Sequence, residues 1–80
     1  MDKPLLERIS FDPEVMAGKP VIRGTRIPVE LIVRMLAQGI PERDILQEYP
    51  RLQADDIHAA LAYAAQVLAD EAVFPLALPT

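Results

Sequence analysis

The chain has 80 residues, the size of one small domain, which excludes most enzymes that need two lobes. It is 51% hydrophobic and 25% charged, too apolar for a disordered protein, so we expect it to fold. Because it has no cysteine, disulfides and thiolate metal sites are excluded, and the formal net charge of -4 argues against a protein that coats DNA non-specifically.

Two short apolar segments near the N-terminus predict a β-hairpin over residues 9–23. Ile9-Ser10-Phe11 alternates apolar and polar side chains, and Val21-Ile22-Arg23 is a short apolar run after a proline. Between them, Asp12-Pro13 and Gly18-Lys19 are typical of turns. We therefore expect a small hairpin with a wide loop.

Helical spacing of the next apolar residues predicts two short helices. Pro28 favours a first helical turn, and Gly39 is typical of the glycine that ends a helix, so the first helix is expected over residues 29–37. Pro41 opens the second helix. It ends at Tyr49, because the residue before a proline is disfavoured in the helical conformation.

Residues 53–70 form the third and longest predicted helix, so that residues 28–70 hold three helices. Asp55 and Asp56 fall in its first turn, where carboxylates complement the helix dipole. One face is expected to meet the core and carries Ile57, Leu61, Ala64 and Leu68. The expected fold is mainly α: an N-terminal β-hairpin followed by a three-helix bundle of the helix-turn-helix kind.

The other faces of the third helix are also apolar, with about two turns that carry no charged residue. Either alanine serves there as a good helix former, or another chain covers these faces. A domain of this size buries only about 60% of the surface of its unfolded chain, so we expect a homo-oligomer, a dimer, formed through this helix or through the hairpin strands. The residues predicted for the dimer or partner interface are Ala60, Tyr63, Val67, Phe74 and Leu76.

Residues 1–72 are expected to form the single domain, and residues 73–80 an apolar C-terminal tail that contains two prolines. The tail has three interpretations: docking on its own core, insertion into a groove of a partner, or disorder. The N-terminus has charges where a targeting signal needs an apolar run, and residues 59–69 are about half of what spans a bilayer. We therefore expect a cytoplasmic protein without a membrane partner.

The sequence lacks the residue sets that catalysis or metal binding requires. Acyl transfer needs a nucleophile and a base, and the chain offers one serine, Ser10, and one histidine, His58. A side-chain zinc site needs several cysteines or histidines, so His58 is interpreted as a surface or packing residue. Asp55 and Asp56 are adjacent, so on a helix they diverge by about 100° and cannot clamp one ion. We expect no enzyme, metal or cofactor.

One segment, residues 19–34, is basic. The third helix would read DNA in a helix-turn-helix, but its first turn presents Asp55 and Asp56, which phosphate repels. If DNA is bound, the better candidates are Lys19, Arg23, Arg26 and Arg51. The alternative for the first three is ion pairing with Asp12, Glu14 or Glu30.

The run Gly18-Lys19-Pro20-Val21-Ile22-Arg23-Gly24-Thr25-Arg26-Ile27-Pro28-Val29 resembles the domain of unknown function 433 family. The resemblance continues through Leu36-Ala37-Gln38-Gly39 and Tyr49-Pro50 to Ala62-Tyr63-Ala64, and so covers roughly residues 9–65. Members often have Ser then Pro where this chain has Pro41, so a helix cap is lost here.

This resemblance implies a homeodomain-like helix-turn-helix fold and a place among VapB-like antitoxins of prokaryotic toxin-antitoxin systems. Such an antitoxin would bind and neutralise a PIN-like RNase toxin and autoregulate its operon. A fold does not fix a function, so two alternatives stay open: a dimeric helix-turn-helix transcriptional regulator without a toxin partner, and a structural dimer with no ligand.

Overall fold

A computed structural model describes residues 3–71 of the chain. The elements in chain order are α1 (Lys3–Leu6), β1 (Ile9–Ser10), a one-turn 3-10 helix (Met16–Gly18), β2 (Val21–Ile22), α2 (Val29–Ala37), α3 (Glu42–Glu48) and α4 (Ala54–Asp70). The prediction of a small, mainly helical fold with an antiparallel hairpin followed by helices is confirmed. The short helix α1, which precedes the hairpin, was not predicted.

The hairpin pairs Ile9 with Ile22 and Ser10 with Val21, so each strand has only two residues. Its loop begins at once, because the Asp12 side chain accepts a hydrogen bond from the Glu14 amide at 2.9 Å. Phe11 and Arg23, which the sequence placed in the strands, therefore lie outside them. The strands are short because turn chemistry starts directly at their ends.

The helix boundaries follow the glycine and proline positions closely. Gly39 has a φ of +86°, and the Ile40 amide donates to the Met35 carbonyl at 3.1 Å, which is the hydrogen bond of a glycine-terminated helix. Pro28 and Pro41 stand immediately before α2 and α3 rather than inside them. Pro41 supplies no side-chain cap, so the first turn of α3 depends on the acidic residues that follow it.

The core lies where the hairpin, α2 and α3 meet α4, which packs against α1, α2, α3 and β1. Isoleucine dominates it, because branched side chains fill a small interior with few rotamers to lose. The buried cluster consists of Ile9, Ile22, Val29, Ile32, Ile45, Leu52, Ile57, Ala59 and Ala60.

The predicted core face of α4 is wrong in part. Ile57 is fully buried, but Leu61 is 42% exposed and Leu68 is 60% exposed. Ala59 and Ala60 are buried in their place. Their small side chains let the neighbouring elements approach the helix closely, so the buried face passes through alanine and leaves two large leucines outside. Within residues 3–71, no helix has both the length and the apolarity to cross a bilayer.

Candidate partner groove and arginine hollow

A surface groove with a mainly apolar lining runs between α2 and α4 and has a volume of about 470 Å³. Val29 and Val33 line it from α2, and Tyr63, Val67 and Leu68 line it from α4. We call this surface the apolar groove. On α4, Val67 and Leu68 beside the groove are exposed, whereas Ala59 and Ala60 pack into the core.

The charged residues at the rim of the apolar groove are two cations that share one carboxylate. Glu30 and Arg34, which lie one helical turn apart on α2, form an ion pair at 2.6 Å, and the Lys19 Nζ atom lies 3.5 Å from Glu30. A partner therefore meets an apolar floor beside a rim whose charged side chains are already paired with one another. This arrangement favours an apolar protein segment over a charged ligand.

The predicted interface residues have different positions. Tyr63 and Val67 line the apolar groove, as the interface hypothesis requires. Ala60 is fully buried in the protein's own core, because α4 turns this side toward the other elements, so Ala60 offers no surface to a partner. Phe74 and Leu76, and the whole predicted tail, lie outside the described residues.

The acidic start of α4 is held by a cation that the sequence did not single out. Arg8 Nη1 donates to Asp56 Oδ1 at 2.9 Å, and Arg8 Nη2 lies 3.6 Å from Asp55 Oδ2. Asp56 Oδ2 also accepts the Gln53 amide at 2.8 Å, which caps the helix. The pairing joins residues 48 positions apart, so no local pattern could have revealed it.

A second surface cavity, of about 490 Å³, surrounds the turn after β2, and we call it the arginine hollow. Its lining residues are Ser10, Asp12, Val15, Val21, Arg23, Gly24, Thr25, Arg26 and Arg51. Thr25 closes the turn by donating its hydroxyl to the Ile22 carbonyl at 2.7 Å. Gly24 has a φ of +83°, which the turn requires and which a residue with a side chain rarely adopts.

Two of these arginines are anchored to the backbone. Arg23 donates to the carbonyls of Glu7 at 2.7 Å and Ile9 at 3.0 Å, and Arg51 donates to the carbonyl of Gly24 at 2.7 Å. Arg26 is exposed and makes no side-chain hydrogen bond or ion pair within residues 3–71.

The structure thus brings together three of the four residues predicted to contact DNA. Arg23, Arg26 and Arg51 share the arginine hollow, whereas Lys19 does not line it. Of the predicted ion pairs, Lys19 with Glu30 is present, while Arg23 bonds to backbone carbonyls instead of carboxylates. The contribution of Arg51, 27 positions after Gly24, depends on the tertiary fold.

His58 lies on the exposed side of α4, as the surface interpretation expects. Its Nε2 atom is 3.7 Å from Glu42 and its Nδ1 atom is 3.9 Å from Asp55. Within the described part of the chain, no three histidine, aspartate or glutamate residues are placed to hold a metal ion.

Known proteins resemble this chain in both sequence and fold. The crystal structure of a DUF433 member protein from Anabaena variabilis superposes with a TM-score of 0.70 at 34% sequence identity, over 82% of this chain and 76% of that one. An uncharacterized protein of Archaeoglobus fulgidus is 60% identical over 30 residues, which is 38% of this chain and 83% of the relative.

A longer relative shares most of this chain. The uncharacterized protein y4eO of Sinorhizobium fredii is 36% identical over 58 residues, which is 72% of this chain but 26% of the relative, so the chain spans about a quarter of that protein's length. The model of the family described as "Protein of unknown function (DUF433)" matches residues 9–64, which include the hairpin, α2, α3 and most of α4. The chain therefore belongs to the DUF433 family.

Proposed function

We propose that this protein is a non-catalytic antitoxin that binds an RNase-type toxin protein through the apolar groove. The observation that carries the proposal is the groove itself, where Val67 and Leu68 are large, exposed and grouped on one surface. Exposed apolar side chains that are grouped in a groove favour a protein partner as the occupant. The toxin-antitoxin assignment comes from the DUF433 family, which the Gly18–Val29 motif resembles and which is grouped with VapB-like antitoxins.

The shape and chemistry of the groove favour a helix or extended segment of the partner as the occupant. A partner side chain inserted between Val33 and Tyr63 would be desolvated on two sides, which is the arrangement that makes an interface residue a hot spot. The balanced Glu30–Arg34 pair at the rim adds specificity more than affinity. Inhibition would then follow from steric cover of the toxin, without chemistry by this chain.

Co-expression with the open reading frame beside its gene tests the proposal. We expect the neighbour to be toxic alone, harmless with this protein, and retained by it on an affinity column. Leu68→Glu should weaken the complex at least about tenfold, because it places a charge in a desolvated apolar contact. A neighbour that is neither toxic nor retained would refute the antitoxin function.

Leu61→Glu is the matched control for that variant. Leu61 is an exposed leucine two turns before Leu68 on the same helix, and it does not line the groove. The same charge is therefore introduced on α4 outside the proposed contact, and binding should stay within about twofold of the original. Equal losses in the two variants would show that the groove is not the binding surface.

A dimeric DNA-binding regulator is the second candidate, and the arginine hollow is the observation that favours it. In this proposal α3 and α4 form a helix-turn-helix joined by residues 49–53. The arginine hollow contacts the DNA phosphates, because the start of α4 is acidic and would repel them. Binding to DNA from the protein's own promoter region should weaken with salt, with log K falling by about 0.9 per log unit of salt for each phosphate contact. No binding at low salt would exclude this role.

We place the dimer contact on the same apolar groove, because its lining is mainly apolar and Val67 and Leu68 are exposed there. Toxin and second copy would then compete, and adding toxin should convert dimers into hetero-complexes. Sedimentation at micromolar concentration measures this directly. A compact monomer in the absence of any partner would exclude the dimer.

A further inference from the structure

The arginine hollow is lined by three arginines and only one carboxylate, Asp12, in an acidic protein. Among the described cations outside it, Arg8, Lys19, Arg34 and Arg43 each lie within 4.0 Å of a carboxylate. Arg23, Arg26 and Arg51 have no such partner among residues 3–71, although the chain holds twelve acidic residues against eight basic ones. The three arginines without a carboxylate partner therefore all line the same cavity.

The guanidinium groups of the hollow retain free hydrogen-bond donors. A guanidinium has five N–H donors; Arg23 uses its Nε and Nη2 atoms on carbonyls, and Arg51 uses Nη2 on the Gly24 carbonyl. These bonds fix the two side chains without neutralising them, because a carbonyl carries no net charge. Arg26 keeps all its donors. The carboxylate on the rim, Asp12, has one oxygen engaged by the Glu14 amide.

We infer that the arginine hollow binds a phosphate group. Two backbone-anchored guanidinium groups and one free group offer planar N–H donors of the kind that bind two phosphate oxygens at once. The volume of about 490 Å³ admits a phosphate with its ester substituents. In this proposal Arg26, whose side chain makes no hydrogen bond within residues 3–71, contacts the anion together with the backbone-anchored Arg23 and Arg51.

Two classes of ligand carry such a phosphate group: DNA, through its phosphodiester backbone, and free phosphate or small phosphate esters. For the DNA source, the inference rests on the DNA-binding candidate and deepens it by naming the contact. For the free source it is independent of both proposed functions. Toxin binding through the apolar groove uses other residues, so its failure leaves this inference unaffected.

Two titrations of the full chain test the site. Inorganic phosphate is followed by the amide resonances of residues 23–26, and a labelled DNA duplex by fluorescence anisotropy at low salt. Arg26→Gln should weaken phosphate binding about tenfold, as expected for the loss of a charge-assisted contact. It should leave the fold intact, because the exposed Arg26 side chain makes no hydrogen bond or ion pair in the described residues.

Arg43→Gln is the matched control, because it removes the same charge from an 86% exposed side chain on α3, outside the hollow. It should leave phosphate binding within about twofold, since exposed charges act weakly at a distance. A DNA source is indicated if Arg26→Gln also lowers the salt slope by about 0.9, and a free source if only inorganic phosphate binds. Absence of both interactions in the unmodified protein, or equal losses in the two variants, would overturn the inference.

Discussion

The Arg8–Asp56 pair provides the sharpest test of how this fold is held together. The Asp56 side chain is only 8% exposed and receives Arg8 at 2.9 Å, while Arg8 itself is 34% exposed. Arg8→Met removes the charge-assisted bond, whose contribution is about 1.5 to 3 kcal/mol, and leaves a nearly buried carboxylate with the Gln53 amide as its remaining partner. Because water reaches Arg8 in part, we expect a loss of about 2 kcal/mol in the free energy of unfolding.

Urea unfolding followed by circular dichroism measures this loss. With a denaturant slope of about 1 kcal/mol per molar for a small domain, the midpoint should fall by about 2 M. Arg34→Met is the control, because the Arg34–Glu30 pair is 61% and 56% exposed and should contribute at most about 0.5 kcal/mol. If both variants shifted the midpoint equally, the structural importance assigned to Arg8 would be refuted.

Three further predictions concern stability. Ile57→Ala should lower the free energy of unfolding by about 3 kcal/mol, because Ile57 is fully buried, whereas Leu61→Ala should lower it by under about 1 kcal/mol. Equal urea midpoints for the two variants would contradict the burial of Ile57 and the exposure of Leu61 on α4. Gly39→Ala should lower the melting temperature with a loss of about 1 kcal/mol, because Gly39 has a φ of +86°, and an unchanged value would argue against that helix stop. Ala17→Gly should raise stability by up to about 1 kcal/mol in thermal unfolding, since Ala17 has a φ of +56°, and a loss would show that this backbone is not strained.

For the candidate sites, the sequence predicts the type of residue involved but not which residues of that type lie at the surface. Tyr63 and Val67 were identified because a helix that is apolar on several faces needs cover on several faces, and both line the apolar groove. Ala60 was assigned to the same surface for the same reason, yet it is fully buried. A periodic pattern shows that a helix has two apolar faces. Which of the two faces is buried depends on how closely the other helices and the hairpin pack against it.

The basic residues show the same limit. The charge of the segment around Arg23 and Arg26 was apparent in the sequence, and so was the alternative of ion pairing. Lys19 does form such a pair, with Glu30, whereas Arg51 joins the other two across 27 positions of sequence. A composition-based argument therefore identified the right residue type but could not separate the paired cation from the clustered ones.

The amino-acid sequence by itself determined where the chain turns and where its helices stop. Prolines restrict the backbone locally, and glycines adopt a positive φ that other residues resist, so Pro28, Gly39 and Pro41 bound the helices whatever the rest of the chain does. Only the tertiary structure decided which side of α4 is buried and which cations remain unpaired. These outcomes depend on contacts between residues far apart in sequence, such as Arg8 with Asp56, and such contacts leave no local signature.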